Sequence, residues 1–393
     1  MHLEKAPMGW NSWNTFGSNI SDQLIRETAL SMKQQGYLEA GYKYIVIDDC
    51  WSLKERDENG CLVPDPEKFP YGMKALSDYV HSLGFLFGMY SCAGVRTCAG
   101  YPSSFDHEFI DAKTFASWGV DYLKYDFCNF PDSADCRNRY ATMSMALKAS
   151  GRDIVFSACN WGMHEPWKWM KSLGAHLYRS TGDIFDNFTS CCDIFKSQLD
   201  NFCMSGTDCF NDIDMLTVGM YGKGNVAVGN ACGDEEYRTQ FALWCMMSAP
   251  LMLGGDVRSL NPFCKELVLN PRLLRIDQDI ETRPPYVVYR GRVISTGWDE
   301  EEKSWWREYP DCGFTLFKHL SGNEFAVGYF NLAPKAGEVP FTFADAGLPY
   351  GSNIGLDLTD AVTGEKLGVK RDYYNLTVPG HGCRVLIGRM KEC

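Results

Sequence analysis

Several familiar signatures are missing from this 393-residue chain. It has no run of 18 or more apolar residues, so no membrane-spanning helix is read from it. Its first residues, Met1-His-Leu-Glu-Lys-Ala-Pro-Met-Gly9, lack the apolar core of a signal peptide, and a soluble, cytoplasmic protein is expected. Positive charge is scarce: 38 Lys and Arg face 50 Asp and Glu, for a net charge of -12. That balance argues against nucleic acid or an anionic membrane as main partner, since phosphate binding needs a basic surface. No C-x-x-C pair occurs among the 17 cysteines, so a structural zinc site has no support. The odd count, scattered along a large chain, is unlike a secreted disulfide framework, and most of these residues read as small buried thiols. No G-x-G-x-x-G follows the first candidate strand, which removes the dinucleotide fingerprint. Internal repeats and low-complexity segments are absent too. Neither metal nor cofactor is expected, and the sequence gives no oligomeric state.

What is present suits a globular enzyme for neutral polar ligands such as sugars: the chain is 45% hydrophobic and 14% aromatic, with many carboxylates. Its length leaves room for a large core and a second domain. Short apolar runs at 8–13, 43–49, 85–90, 121–128, 154–160, 177–183, 213–218 and 248–253 predict strands. Helical segments at 21–35, 71–83, 110–118, 139–149 and 235–246 alternate with them; Ser21-Asp22 and Gly36 bracket the first as caps. Eight strands alternating with helices form either an open doubly wound sheet or a closed (β/α)8 barrel. The strand ends decide. Trp13, Asp48-Asp49, Tyr90, Asp126, Asn160, Asp183 and Asp214 recur at successive C-terminal ends. A barrel gathers such residues into one ring on its catalytic face, whereas an open sheet spreads them along an edge. A TIM barrel over 1–282 is therefore expected. After Pro284-Pro285 the texture changes to short alternating runs with Gly turns, which predict an antiparallel β-sandwich domain over 283–393. The acidic run 299–302, followed by Trp305-Trp306, reads as an exposed loop with a local aromatic anchor.

The stretch Tyr122-Leu-Lys-Tyr-Asp-Phe-Cys128 draws the argument to chemistry. On a strand Lys124, Asp126 and Cys128 share one face, and Tyr125 and Phe127 share the other. A lysine and an aspartate on the inner face of a buried strand are costly to desolvate, so they mark either a structural ion pair or a site. With Gly9-Trp-Asn-Ser-Trp13, Ile47-Asp-Asp-Cys-Trp51, Cys159-Asn-Trp-Gly162 and Arg179-Ser-Thr-Gly-Asp183, this stretch resembles the melibiase-type α-galactosidases, glycoside hydrolase family 27. The resemblance runs from about residue 6 to 279 and is weaker in the C-terminal β domain.

The resemblance implies roles. Asp126 corresponds to the nucleophile and Asp183 to the acid/base of a retaining exo-α-galactosidase acting on terminal α-linked galactose. Two carboxylates facing one sugar can do this work, and Lys124 beside Asp126 favours the ionised carboxylate that a nucleophile needs. Asp48 and Asp49 correspond to the pair holding the 4- and 6-hydroxyls. Consecutive strand residues point to opposite faces, so both reach a ligand only where the strand ends and the chain turns. Arg179 is implied as a sugar-binding donor, and Trp13, Tyr90 and Met215 as pocket walls. Cys98 and Cys128 match a pair that is disulfide-bonded in secreted members. Asn160 departs from the Glu of many members, while Asn stands there in yeast-like ones. That leaves the 2-substituent open, so α-N-acetylgalactosaminidase, β-L-arabinopyranosidase and a non-catalytic sugar-binding protein remain as alternatives.

Overall fold

The computed structural model describes residues 2–201 and 204–392. Eight strands form its first sheet: β1 (Met8–Asn11), β2 (Tyr44–Val46), β3 (Leu86–Cys92), β4 (Tyr122–Asp126), β5 (Val155–Ala158), β6 (Leu177–Arg179), β7 (Phe210–Asp212) and β8 (Leu251–Leu253). They lie in the order β7-β6-β5-β4-β3-β2-β1-β8, and neighbouring strands are parallel. The two outer edges meet. Leu216, just past β7, bridges in parallel to Leu253; its N–H donates to Met252 O and its carbonyl accepts from Gly254 N–H, both at 2.8 Å. The sheet is therefore closed into the expected barrel.

The strands are short and buried nearly throughout, as parallel strands with helices outside must be. Tyr44, Val46, Tyr122, Val155, Leu177, Phe210 and Met252 fill the interior as one cluster, so the barrel is packed rather than open. The helices start where capping chemistry directs. Ser21 Oγ accepts from Leu24 N–H at 3.2 Å to open Asp22–Gln34. The Asp135 carboxylate accepts from Arg137 N–H at 2.9 Å to open Cys136–Ala149.

Three strand assignments are corrected. The run 8–13 stops at Asn11, and Trp13–Phe16 is already a helical turn. The run 177–183 stops at Arg179, which leaves Asp183 on the following loop. The seventh strand is Phe210–Asp212, not 213–218: Asp214 takes a left-handed φ of 87°, which no continuous strand accommodates.

The described chain divides into two compact units. All eight barrel strands belong to the first. The second holds the helices Phe188–Gln198, Asp234–Met247, Pro262–Val268 and Pro271–Asp277, together with an eight-stranded antiparallel sheet between Tyr286 and Glu392. Val293, Phe317, Tyr329, Leu356, Val378 and Leu386 come from strands at both ends of that sheet's order and share one core, so the sheet doubles over as a sandwich does. The loop reading of 299–302 holds for 300–302, which are exposed turn residues, while Asp299 closes the preceding strand. Tyr286–Asp299 and Ser304–Leu320 are long paired strands, and the acidic run is the tip of their hairpin. Trp305 and Trp306 are 71% and 60% exposed, so they anchor nothing beneath them; Trp305 packs on Trp298 across the hairpin at 5.6 Å.

Candidate active site

Trp13, Asp48, Asp49, Tyr90, Cys98, Lys124, Asp126, Arg179, Asp183 and Met215 line one cavity of about 180 Å³ at the C-terminal ends of the barrel strands. A larger groove of about 520 Å³, lined by Lys148, Arg152 and His176 among others, contains none of these residues. The smaller cavity is the site because the chemistry converges there.

Asp126 is the last residue of β4 and is 5% exposed. Its Oδ1 accepts from Phe127 N–H at 2.8 Å and its Oδ2 from the Tyr90 hydroxyl at 3.1 Å. Burial pushes this carboxyl above the usual range; Lys124 and the Phe127 amide pull against that, and Asp48 and Asp183 add to it. Asp48 and Asp49 sit just past β2, where Cys50 takes a φ of 70° and turns the chain, so consecutive side chains reach one cavity. Asp48 Oδ2 accepts from Lys124 Nζ and from Asn11 Nδ2, each at 2.8 Å. Asp49 accepts from Ala99 N–H at 2.9 Å and Cys50 N–H at 2.7 Å, and burial still raises its pKa.

Lys124 therefore bonds to Asp48 rather than to Asp126, the neighbour expected from the strand pattern. It acts on Asp126 through space. Burial opposes the ammonium, but the carboxylates of Asp48 and Asp126 outweigh it and hold the pKa well above the ordinary lysine value.

Asp183 stands apart from this buried cluster, with its side chain 69% exposed at the mouth. Arg179, fully enclosed, holds it: Nη2 donates to Asp183 Oδ1 at 3.0 Å, to Gly182 O at 2.8 Å and to Asp214 Oδ2, while Nε donates to Thr181 Oγ1 at 3.1 Å. Arg179, expected as a donor to sugar, lines the cavity and through Nε and Nη2 also fixes the loop that carries Asp183, while its Nη1 lies 3.8 Å from Cys159 Sγ. Asp214 completes that brace by accepting Ile184 N–H at 2.6 Å; burial pushes its carboxyl up to about 6 against the pull of Arg179.

Asn160 is the candidate that the cavity does not include. It is wholly buried, its Nδ2 donates to the carbonyl of Met163, and it does not line the cavity. The left-handed Trp161 and Gly162 that follow fold the loop back over the amide, which draws the side chain inward.

Cys98 and Cys128 form a disulfide with Cα atoms 5.0 Å apart. It joins the loop after β3 to the end of β4, next to Asp126, and the Tyr90 hydroxyl lies 3.3 Å from Cys98 Sγ. Residues that sequence reasoning passed over also appear. Asn14, Phe185, Asn225 and Val226 line the cavity, and Asn11 positions Asp48. Asn11 and Asn14 lie in or beside the Gly9–Trp13 motif and were within reach. Asn225 and Val226 sit on a loop without periodic signal; their N–H groups bond to Asn14 O at 2.8 and 3.2 Å.

Comparison with known proteins agrees with this geometry. The family model described as alpha galactosidase A matches residues 5–279, and that of the alpha galactosidase C-terminal beta sandwich domain matches 315–387. The chain is similar to an α-galactosidase of Cyamopsis tetragonoloba, 38% identical over 98% of this chain and 86% of that one. In structure it resembles α-galactosidase I of Mortierella vinacea, with a TM-score of 0.87 and 32% identity over 98% of this chain and 97% of that one. It also resembles an α-galactosidase of Saccharomyces cerevisiae solved with raffinose, with a TM-score of 0.86 and 28% identity over 99% and 98%.

Proposed function

This chain belongs to the melibiase family and is an α-galactosidase, a glycoside hydrolase; from that premise we propose that it releases terminal α-linked galactose with retention of configuration, through a covalent bond to Asp126. The observation that carries this reading is the contrast between two carboxylates at one cavity: Asp126 is buried and fixed by two hydrogen bonds, and Asp183 is exposed at the mouth.

In the first step Asp126 attacks the anomeric carbon. The bond to the leaving oxygen breaks, and Asp183 gives that oxygen its proton. In the second step Asp183 takes a proton from water as the water oxygen attacks the anomeric carbon, and the ester to Asp126 breaks. Burial suits the nucleophile, because its bonds from Tyr90 and Phe127 fix its direction. Exposure suits Asp183, because leaving group and water both pass there. Asp48 and Asp49 offer carboxylate oxygens to the ring hydroxyls, and Lys124 supplies the adjoining donor. The substrate is a glycan bearing terminal α-galactose. The S. cerevisiae relative solved with raffinose supports an oligosaccharide of that kind.

The test is the anomer of galactose released first from an α-galactoside, followed by proton NMR before mutarotation. α-Galactose is expected; β-galactose would mean inversion and remove the covalent step. Side-by-side hydrolysis of aryl α-galactoside, α-N-acetylgalactosaminide and β-L-arabinopyranoside completes it, with the galactoside fastest.

A further inference from the structure

We infer that Phe185 is a platform on which the sugar leaving group stacks, so that the enzyme selects oligosaccharides over simple alkyl galactosides. The inference deepens the α-galactosidase reading and rests on it. Of the apolar side chains lining the cavity, Tyr90, Ile184, Met215 and Val226 are buried and Trp13 is half-buried, packed against the barrel core, whereas Phe185 is 42% exposed. Its exposure does not come from a loose loop. On one side Ile184 is buried, with its N–H on Asp214 Oδ2 at 2.6 Å. On the other, Asp186 is wholly buried, its carboxylate accepts Gly222 N–H at 2.7 Å, and its own N–H donates to Val226 O at 3.0 Å. An aromatic ring is thus presented to solvent from a backbone pinned at both neighbours.

Its place gives the ring a ligand. Phe185 follows Asp183 by two residues and lines the same cavity. The inner wall is ionic, made by Asp48, Asp49, Lys124 and Asp126, and accounts for the galactose ring. The group leaving from the oxygen that Asp183 protonates lies on the solvent side, where the apolar surface is. A hexopyranose presents C–H groups on one face, and such a face packs on an aromatic ring while its hydroxyls stay in water. A methyl leaving group has no such face.

The experiment compares melibiose with methyl α-galactoside, both alkoxide leaving groups that need the same acid, in wild type, Phe185→Ala and Phe185→Tyr. In Phe185→Ala, kcat/KM for melibiose should fall about 10-fold and that for methyl α-galactoside less than about 2-fold. Phe185→Tyr, which keeps the ring, should restore melibiose turnover, and the inhibition constant of galactose should stay within about 2-fold in both variants. Equal losses on both substrates would make Phe185 a mere support for Asp183 and overturn the inference; so would undiminished melibiose turnover. A wild type inactive on both substrates would instead overturn the α-galactosidase reading, and the inference with it.

Discussion

Lys124 and Lys318 are both enclosed lysines with aspartates nearby, yet burial wins at one and loses at the other. In the barrel, Lys124 Nζ meets the Asp48 carboxylate at 2.8 Å, and its pKa is raised despite burial. In the second unit, Lys318 Nζ donates to neutral oxygens: Ser248 Oγ at 2.5 Å, Ile276 O at 2.9 Å and Cys245 O at 3.4 Å. There burial pushes the lysine down to about 8, against the pull of Asp277, and pushes the Asp277 carboxyl up to about 8. The lesson is that enclosure alone does not make a site. The barrel cluster keeps its charges beside a cavity that a ligand can enter, and the other pair lies within packed structure, where burial favours the neutral form of each partner.

The comparison breaks first at Asp126. Asp126→Ala should lower kcat by about 10⁴-fold or more while the melting temperature moves little, since a cavity carboxylate contributes little packing. Turnover within an order of magnitude of wild type would remove Asp126 from the chemistry.

Next comes Lys124→Met, which leaves Asp48 without its cation. A fall in kcat/KM of about 100-fold is expected. Lys124 pulls the Asp126 pKa down, so its removal leaves burial and the other carboxylates pushing up. The ionised nucleophile then appears only at higher pH, and the acid limb of the kcat/KM profile should move upward. A limb that stays in place would show that Lys124 does not tune Asp126.

A smaller effect separates the second pair. Asp277 is pushed from 3.8 to about 8 in the folded chain, so between those values the native state holds a proton that the unfolded state has released. Folding stability from this group must then fall as pH rises from about 4 to 8. Asp277→Asn should flatten that decline in melting temperature, by on the order of 5 °C across the window. An unchanged slope would assign the titration elsewhere, with Cys245, Asp279 and Arg275 the other titratable groups facing Lys318. The smallest change is expected from Lys318→Met: kcat/KM within about 2-fold of wild type and a melting temperature equal or higher, because an apolar side chain of similar volume replaces a poorly solvated amine.

The barrel was legible because its strands are apolar and end in polar residues. Once the resemblance gave Asp48 and Asp49 to one ligand, the alternation rule required the chain to turn there, although the predicted run 43–49 carried the strand past its observed end at Val46. Where the reading failed, the cause was local backbone geometry. Asp214 adopts a left-handed conformation that composition does not announce, and the turn at Trp161 and Gly162 draws Asn160 inward. The partner of Lys124 was missed for another reason: Asp48 lies 76 residues away and one strand beyond the neighbouring β3, a relation that only barrel closure supplies. Lys318 and Asp277 were not singled out at all, since the 40 residues of intervening chain give no periodic signal of their approach.

The most direct measurement is the configuration of the galactosyl azide formed when azide rescues Asp183→Ala and Asp126→Ala. With Asp183 removed, azide should displace the β-linked ester on Asp126 and give α-galactosyl azide. With Asp126 removed, azide should enter the vacated nucleophile space and give the β-azide. The reverse pairing would exchange the two roles, and rescue of neither variant would contradict the covalent mechanism built on them.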